Sequence, residues 1–366
     1  MRVNAELLSE ALEQVQAAIF EPSLWLPAIE AISRASGALG ATIAEPNGRG
    51  VFGATLSTEN LEDFLEGYVR EEWGSRDFRA QQLLPPVRRA GVVLETDIIS
   101  KEQFERHDYY KLMRKHGIAD CVLLDLSSAK DELYLVFQNS LAEAPPRAEE
   151  AVHFHAIRTR LIAALQLAQH VDASKVMGMA AAFETSRIGC IFFDRKGFIT
   201  LANPKAKALF TGDLRISRGE LRVSSAIETA HFNRALKTVL QAKRATTDTV
   251  SAVRLSRPGK RPLIVRFERF GTQLADVFSH SCAMALIEDP DEEIRLKPET
   301  LMALFDLTPA ETRISLLVAS GMSAVDIAGQ HGIGYETVRS HIRSIFQKTG
   351  TGRQSELSAL FGKIRL

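Results

Sequence analysis

The stretch TVRSHIRSIFQKTG, residues 337–350, predicts a helix with bases on one face and apolar side chains on another. Val338, Ile342 and Ile345 recur at spacings of four and three, which indicates one buried stripe. Residues 337–366 carry six Lys or Arg and one acid, whereas the whole chain carries 45 bases and 45 acids. The positive charge is therefore local, and a basic helix on a neutral protein indicates one surface for a polyanion.

The segment before this helix carries the start and stop signals of two further short helices. Thr308-Pro309-Ala310-Glu311 combines an N-cap, a first-turn proline and a capping-box glutamate, and Gly321 is placed to end that helix. Ser323 can cap the next helix, which Gly332 can end. Short helices joined by a glycine-containing turn, the last one basic outside and apolar inside, form a helix-turn-helix. Its second helix belongs in the major groove of DNA.

The segment from about Leu307 to Phe361 resembles the LuxR-type helix-turn-helix through the successive motifs LTPAE, SGMSAVDIA, TVRSHIRSIFQKTG and RQSEL. The resemblance implies a four-helix module whose last helix, about 354–361, helps to pair two copies. Gly334 departs from the family, which usually has a capping serine there, and Thr349 and Gly352 replace its leucine and asparagine. Glycine is a tolerated N-cap, so the domain prediction stands.

The predicted DNA contacts lie on one face of the basic helix. Arg339, Arg343 and Gln347 repeat every four residues, with Ser340 beside them. The resemblance implies that Arg339, Ser340 and Arg343 face base edges. It also implies that Thr337 and Lys348 lie near phosphates. An arginine can bond two acceptors of guanine, whereas lysine and hydroxyl groups on phosphate mainly fix position. The predicted DNA-binding residues are Thr337, Arg339, Ser340, Arg343, Gln347 and Lys348.

The chain of 366 residues, 45% of them hydrophobic, is long enough for two or three domains with buried cores. Its first part mixes helices and strands and resembles GAF domains and the N-terminal domains of LuxR-type regulators. IGCIFFDRKGFITLANPKAKALF, residues 188–210, opens a pattern of two strands, helices and three strands that resembles a PAS domain. The predicted fold class is α+β and multidomain. It comprises a GAF-like sensor (1–147), a connector helix (148–185), a PAS-like domain (186–289), an acidic linker (290–302) and the all-α, four-helix LuxR-type domain (303–366).

The predicted connector helix has an apolar face at spacings of three and four. A helix of this length between two domains favours a dimer seam or a signalling connector, and a core helix is the alternative. The linker prediction has two alternatives as well: the acidic run 288–293 is either solvated or competes with DNA for the basic helix. The side chains of the apolar face are Phe154, Ile157, Leu161, Leu165, Ala168 and Val171.

Tyr68, Trp73 and Asp77 are the candidate ligand-binding residues. They loosely resemble the aromatic-and-aspartate set that holds acyl-homoserine lactones in quorum-sensing members of the family. Their spacing differs from that set, and Phe78 stands where those members have proline. The sequence therefore indicates a small-molecule effector without identifying it.

The sequence contains no pattern typical of a catalytic or metal site. The chain has no G-x-x-x-x-G-K-[ST] motif, and its three cysteines are far apart, which predicts a reducing cytoplasm and no zinc site. His153 and His155 point about 200° apart on a helix and cannot share a metal. Haem at His231 or His280 is an alternative to a structural histidine. We therefore expect no enzyme, no metal, no identified cofactor and no membrane span.

These patterns together predict a cytoplasmic, homodimeric transcription regulator that binds a near-palindromic site on double-stranded DNA. RNA polymerase is a further candidate partner. The alternative is a regulator controlled by a partner protein, because an empty sensor core and a ligand pocket have the same apolar composition.

Overall fold

The computed structural model describes residues 1–46, 52–128, 131–210, 214–223, 225–242, 252–270, 279–292 and 297–364. The chain forms two compact units. The first comprises Met1–Glu184, Gly189–Leu255 and Val265–Ile287, and the second comprises Thr185–Ile188, Ser256–Ile264 and Glu288–Leu366. Sheet domains precede an all-helical C-terminal domain, which confirms the predicted α+β, multidomain fold class.

Helices and strands alternate along the N-terminal part of the chain. In the described residues they are α1 (Ala5–Phe20), α2 (Trp25–Ala35), β1 (Gly40–Pro46), β2 (Phe52–Ser57), α3 (Glu62–Arg70), α4 (Phe78–Ala90), β3 (Val92–Leu94), α5 (Lys101–Arg106), α6 (Asp108–Lys115), β4 (Ile118–Asp125), β5 (Tyr134–Ser140) and α7 (Ala151–Thr185). The strands form one antiparallel sheet in the order β2-β1-β5-β4-β3. The sequence predicts helices at 24–38 and 61–73 and strands at 92–94, 121–126 and 133–138, which α2, α3, β3, β4 and β5 match to within a few residues. It does not predict α1, β1, β2 or the helices α4 to α6.

Both faces of the sheet are covered by helices. Since successive side chains of a strand point to opposite sides, β3, β4 and β5 each contribute to two cores. On β5, Leu135 and Phe137 enter a core shared with α1, α2 and α7. Tyr134 and Val136 point the other way, into a second core formed with α3, α4 and α6. The second face holds the candidate ligand cavity described below.

The first half of α7 is a core helix of the N-terminal domain. Phe154, Ile157, Leu161, Leu165 and Ala168 are all buried in the core shared with α1 and α2, and the sixth member of the stripe packs against it. The prediction that this stripe is a dimer seam is therefore wrong. The spacing correctly predicted a buried face, but the same chain covers it.

A second antiparallel sheet follows α7. Its elements in the described residues are β6 (Gly189–Phe193), β7 (Ile199–Ala202), α8 (Pro204–Leu209), β8 (Arg215–Ser217), β9 (Glu220–Arg222), α9 (Ala226–Gln241), β10 (Val253–Arg257), β11 (Lys260–Arg269) and β12 (Ala283–Glu288). The sheet has the order β10-β11-β12-β6-β7, and β8 and β9 form a separate hairpin that the sequence did not predict. The predicted two strands, helices and three strands are present. The first residues of the predicted strand 249–255 and the turn at Gly271 lie outside the described residues.

Phenylalanines fill the core of the second sheet domain. Phe193, Phe232 and Phe267 have ring-centroid separations of 4.9–6.5 Å. All three side chains are buried. Asn203 caps α8 by accepting from the Ala206 amide, and Pro204 follows it in the first turn.

Ion pairs join the two sheet domains at the turn between β6 and β7. Arg195 Nη2 lies 2.6 Å from Glu45 Oε2 at the end of β1, and both side chains are mostly buried. Lys196 Nζ lies 2.7 Å from Asp131 Oδ1, just before β5. On α7, Asp172 accepts from the backbone amides of residues 280 and 281. The two domains thus pack through compensated charges.

The C-terminal domain is a bundle of short helices. They are α10 (Pro298–Phe305), α11 (Pro309–Ala319), α12 (Ala324–His331), α13 (Tyr335–Thr349) and α14 (Gln354–Lys363). The last four are the predicted module, and α10 begins inside the predicted linker 290–302. Thr308 and Ser323 each form a capping box, which confirms the predicted helix starts. The core side chains are Leu301, Leu307, Ile314, Val318, Ile327, Val338, Ile345, Leu357 and Phe361.

Two acids of the run before this domain, Asp289 and Asp291, form ion pairs with arginines. Asp289 lies 2.5 Å from Arg257 Nη2, and the guanidinium holds the pKa of Asp289 below its usual value. Asp291 pairs with Arg257 at 3.5 Å and with Arg261 at 3.4 Å. These two acids are engaged by arginines and are not freely solvated, while competition of the run with DNA for the basic helix stays a prediction.

Candidate DNA-binding surface and ligand cavity

A buried carboxylate anchors α13 to α11. Glu311 is 6% exposed and accepts from the Thr308 amide at 2.8 Å, closing the capping box. It also accepts from Ser344 Oγ at 2.5 Å and from Lys348 Nζ at 2.7 Å, both on α13. These donors, Lys348 first, lower the pKa of Glu311 from 4.5 to about 2. One ionised side chain therefore caps the first helix and fixes the position of α13.

The opposite face of α13 is exposed. Val338 and Ile345 point into the core, and five of the six predicted DNA-binding residues, Thr337, Arg339, Ser340, Arg343 and Gln347, are exposed. The helix begins at Tyr335, two residues before the quoted stretch, and so includes the acid Glu336. Glu336 Oε1 lies 3.4 Å from Arg339 Nη1, and Arg339 lies over the Tyr335 ring. The N-cap is Gly334, as the sequence predicted, so the helix includes this acidic first turn.

Lys348 differs from the other five residues of the predicted set. Its ammonium donates to Glu311 and, at 2.8 Å, to the carbonyl oxygen of Asp306. The side chain is 32% exposed. Lys348 thus has a structural contact, and its phosphate contact stays a prediction.

Two of the three candidate ligand-binding residues line a cavity between the first sheet and α3, α4 and α6. Tyr68 donates its hydroxyl to Asp77 Oδ2 at 2.8 Å, and Tyr109 donates to the same oxygen at 3.3 Å. Asp77 also caps α4 by accepting from the Ala80 amide. Burial raises the pKa of Asp77, and it raises the pKa of both phenols. Trp73 packs edge-on against Tyr109 and does not line the cavity itself.

A second polar cluster forms another part of the cavity wall. Arg79 and Glu95 form a buried two-point ion pair, with Nε–Oε1 at 3.0 Å and Nη2–Oε2 at 2.8 Å. Tyr110 donates to Glu95, and Arg79 Nη1 donates to Gln138 Oε1 at 2.8 Å. Arg79 and Gln138 line the cavity. No sequence motif marked this cluster, because Arg79 lies on α4, which the sequence did not predict.

Thr42 and Tyr134 also line the cavity, and the rest of its wall is apolar. Its volume is about 80 Å³. It is therefore a small pocket with polar groups from Asp77, Tyr68, Tyr109 and Gln138 against a hydrocarbon wall. The apolar lining side chains are Ala44, Phe64, Leu65, Ala80, Leu83, Leu84, Leu123 and Val136.

In the described part of the chain, the histidines and cysteines form no metal site. No group of three or more His, Cys, Asp or Glu residues is arranged to hold a metal there. Cys121, Cys190 and Cys282 are buried free thiols, and burial raises the pKa of Cys190 to about 11. Within the same residues, every helix is too short or too polar to cross a bilayer.

Comparisons with known proteins support the C-terminal domain specifically. Residues 306–361 match the family described as GerE, bacterial regulatory proteins, luxR family. No curated protein matches the chain. Three solved structures share weak likeness with it. CepR2, an N-acylhomoserine lactone-dependent LuxR-family factor from Burkholderia cenocepacia, is 15% identical over 44% of this chain and 94% of that one, with a TM-score of 0.35.

Escherichia coli SdiA is 11% identical over 96% of this chain and 95% of that one, with a TM-score of 0.32. The phycoerythrobilin-bound GAF domain of a cyanobacterial phytochrome is 12% identical over 46% of this chain and all of that one (100%), with a TM-score of 0.31. Likeness at this level shows neither a shared ligand nor a shared function. The family match covers the segment whose basic helix is anchored on one face and exposed on the other. Residues 306–361 are therefore a LuxR-family helix-turn-helix DNA-binding domain.

Proposed function

We propose that the chain is a sequence-specific transcription regulator that works as a homodimer in the cytoplasm. It binds a near-palindromic site on double-stranded DNA, contacts RNA polymerase there, and acts by binding rather than catalysis. A small molecule in the N-terminal cavity shifts the equilibrium between DNA-competent and incompetent dimers by binding one of them more tightly.

The observation that carries this proposal is the anchored, outward-facing α13. Glu311 holds one face of the helix, while Arg339 and Arg343 stand exposed on the other. Either arginine can bond the O6 and N7 acceptors of guanine in the major groove. Thr337, Ser340 and Gln347 are exposed beside them and can bond base edges or phosphates.

The experiment is a binding titration of full-length Arg339→Ala and Arg343→Ala on a promoter that the wild-type protein binds and on scrambled DNA. We expect each variant to lose about 1–3 kcal/mol on the promoter and to discriminate less between the two DNAs. Arg313→Ala, an exposed arginine on α11, is the matched control. Promoter affinity that is unchanged in both α13 variants would refute the groove assignment.

The homodimer is supported by the outer face of α7, opposite the buried stripe. Val152, Leu167 and Met177 are 65%, 48% and 59% exposed, respectively. On the same face, the polar groups of Thr159 and Ser174 bond backbone carbonyls four residues earlier, as does a ring nitrogen of His170. Exposed apolar side chains mark this face, with the exposed Arg160 at its edge, and a helix from a second copy can pack against it.

The small-molecule effector is supported by the cavity and by its polar wall. A regulator controlled by a partner protein instead is favoured by one observation, the filled phenylalanine core of the second, PAS-like sheet domain. Native mass spectrometry of the purified chain separates the two. A dimer with a reproducible extra mass supports an effector, and a dimer at bare chain mass after incubation with cell extract supports the protein partner.

A further inference from the structure

We infer that the N-terminal cavity takes a compact ligand with an amide-like pair of groups, one acceptor and one donor, and that Gln138 binds the acceptor. The inference rests on the proposed sensor role of this domain. It departs from the acyl-homoserine lactone alternative, because it excludes a long acyl chain.

Gln138 supplies a hydrogen-bond donor whose direction is fixed. Its side chain lies on the cavity face of β5, and the residue is 4% exposed. Arg79 donates to Gln138 Oε1 at 2.8 Å, so the amide oxygen faces Arg79 and the NH₂ group faces away from it. Among the described residues, no group accepts a hydrogen bond from Gln138 Nε2. A buried donor of this kind calls for an acceptor from a ligand, such as a carbonyl oxygen.

The tyrosines on the same cavity supply acceptors. A phenol has one hydrogen to donate, and Tyr68 and Tyr109 both donate it to Asp77. Their oxygens are therefore left as acceptors for a ligand N–H or O–H. The Arg79 guanidinium lies 5.8 Å over the Tyr109 ring, so the Gln138 donor and these acceptors belong to neighbouring parts of the cavity wall.

The cavity volume limits the size of the ligand. A volume of about 80 Å³ corresponds to roughly six water-sized positions. A lactam or a short primary amide fits this space and offers both a carbonyl and an N–H. An eight-carbon acyl chain exceeds this volume and would have to extend beyond the cavity.

The test uses the full-length protein and ligand-observed NMR with three probes. The first, 2-pyrrolidinone, has the donor and the acceptor; cyclopentanone has the acceptor only; octanamide has both on a long chain. We expect 2-pyrrolidinone to bind with a Kd on the order of 1 mM. Cyclopentanone should bind several-fold more weakly, and octanamide should not compete with the lactam.

Two variants address the two parts of the inference. Gln138→Leu should weaken 2-pyrrolidinone binding about tenfold. Since it also removes a partner of Arg79, Ala80→Leu provides an independent variant that fills the cavity and leaves the polar cluster intact, and it should abolish binding. Gln82→Leu, an exposed position on α4, is the matched control and should bind as the wild type does.

Three results would overturn the inference. They are no binding of 2-pyrrolidinone to the wild type, equal binding to a folded Gln138→Leu variant, and octanamide binding more tightly than the lactam. A long-chain compound that copurifies with the protein would also overturn it, while leaving the sensor role of the domain in place. A failure of the sensor proposal itself would give a different result: no compound that binds in the cavity would change the affinity for the promoter.

Discussion

Replacing Glu311 with glutamine is expected to loosen α13 from α11 without touching the exposed face of α13. The carboxylate accepts from Ser344 and Lys348 across the two helices, and it completes the Thr308 capping box. Glutamine keeps the size of the side chain but loses the charge. Both carboxylate oxygens accept hydrogen bonds, so the perturbation removes the charge and one of the two acceptors while it keeps the shape.

The magnitude follows from the pKa of Glu311, which is lowered from 4.5 to about 2. A shift of that size corresponds to about 3 kcal/mol at most. Because Lys348 is 32% exposed, solvent screening reduces the contribution, and we expect a loss of about 1–2 kcal/mol of local stability. That loss corresponds to roughly a 5- to 30-fold faster amide exchange wherever α11 and α13 open together.

The anchor also predicts a pH dependence with a definite sign. The folded carboxyl has a lower pKa than the unfolded one, so its contribution is complete above pH 4.5 and is lost as the pH falls towards about 2. The wild type should lose this stability in that window. The glutamine variant has no carboxyl here and should not show this part of the decline.

The assay is hydrogen exchange of the full-length chain, followed by mass spectrometry on peptides from α11 and α13 and corrected for the intrinsic rate at each pH. Tryptophan fluorescence is unsuitable, because both tryptophans lie in the N-terminal domain. Glu336→Gln is the control, since Glu336 is 80% exposed on the same helix and its loss should change protection little. Equal protection in the Glu311 variant and the wild type would refute the anchoring role.

Three further predictions concern other surfaces. Lys348→Ala should weaken binding to all DNA sequences and reduce the salt dependence by about one unit; an unchanged salt slope in a binding titration would leave Lys348 with its structural contact alone. Arg195→Glu should lower the midpoint of thermal unfolding of the sheet domains by breaking a mostly buried pair, worth about 1–3 kcal/mol, and adding Glu45→Arg should recover part of it. Without that recovery in the double variant, the pair would have no specific coupling. Leu167→Arg should convert the dimer to a monomer in analytical ultracentrifugation, whereas a stable dimer would place the interface elsewhere.

The sequence predicted the C-terminal domain closely because its signals are local. A capping box joins residues three positions apart, and the stripe of α13 joins residues three and four apart. The observed starts at Thr308 and Ser323 and the buried Val338 and Ile345 follow from such short spacings. The α7 stripe shows the limit of this reasoning: a spacing predicts that a face is buried, and only the fold decides which chain buries it.

The candidate cavity depends on contacts that no local pattern encodes. Tyr68 and Asp77 are nine positions apart, and a resemblance was enough to associate them. The role of Gln138 depends on Arg79, 59 positions earlier, and Arg79 is in turn held by Glu95. Each of these side chains read alone resembles an ordinary surface residue, since charged and amide side chains are mostly exposed. It is the alternation of β5, which turns Gln138 towards α4 while its neighbours enter the other core, that makes this amide a buried donor facing the cavity.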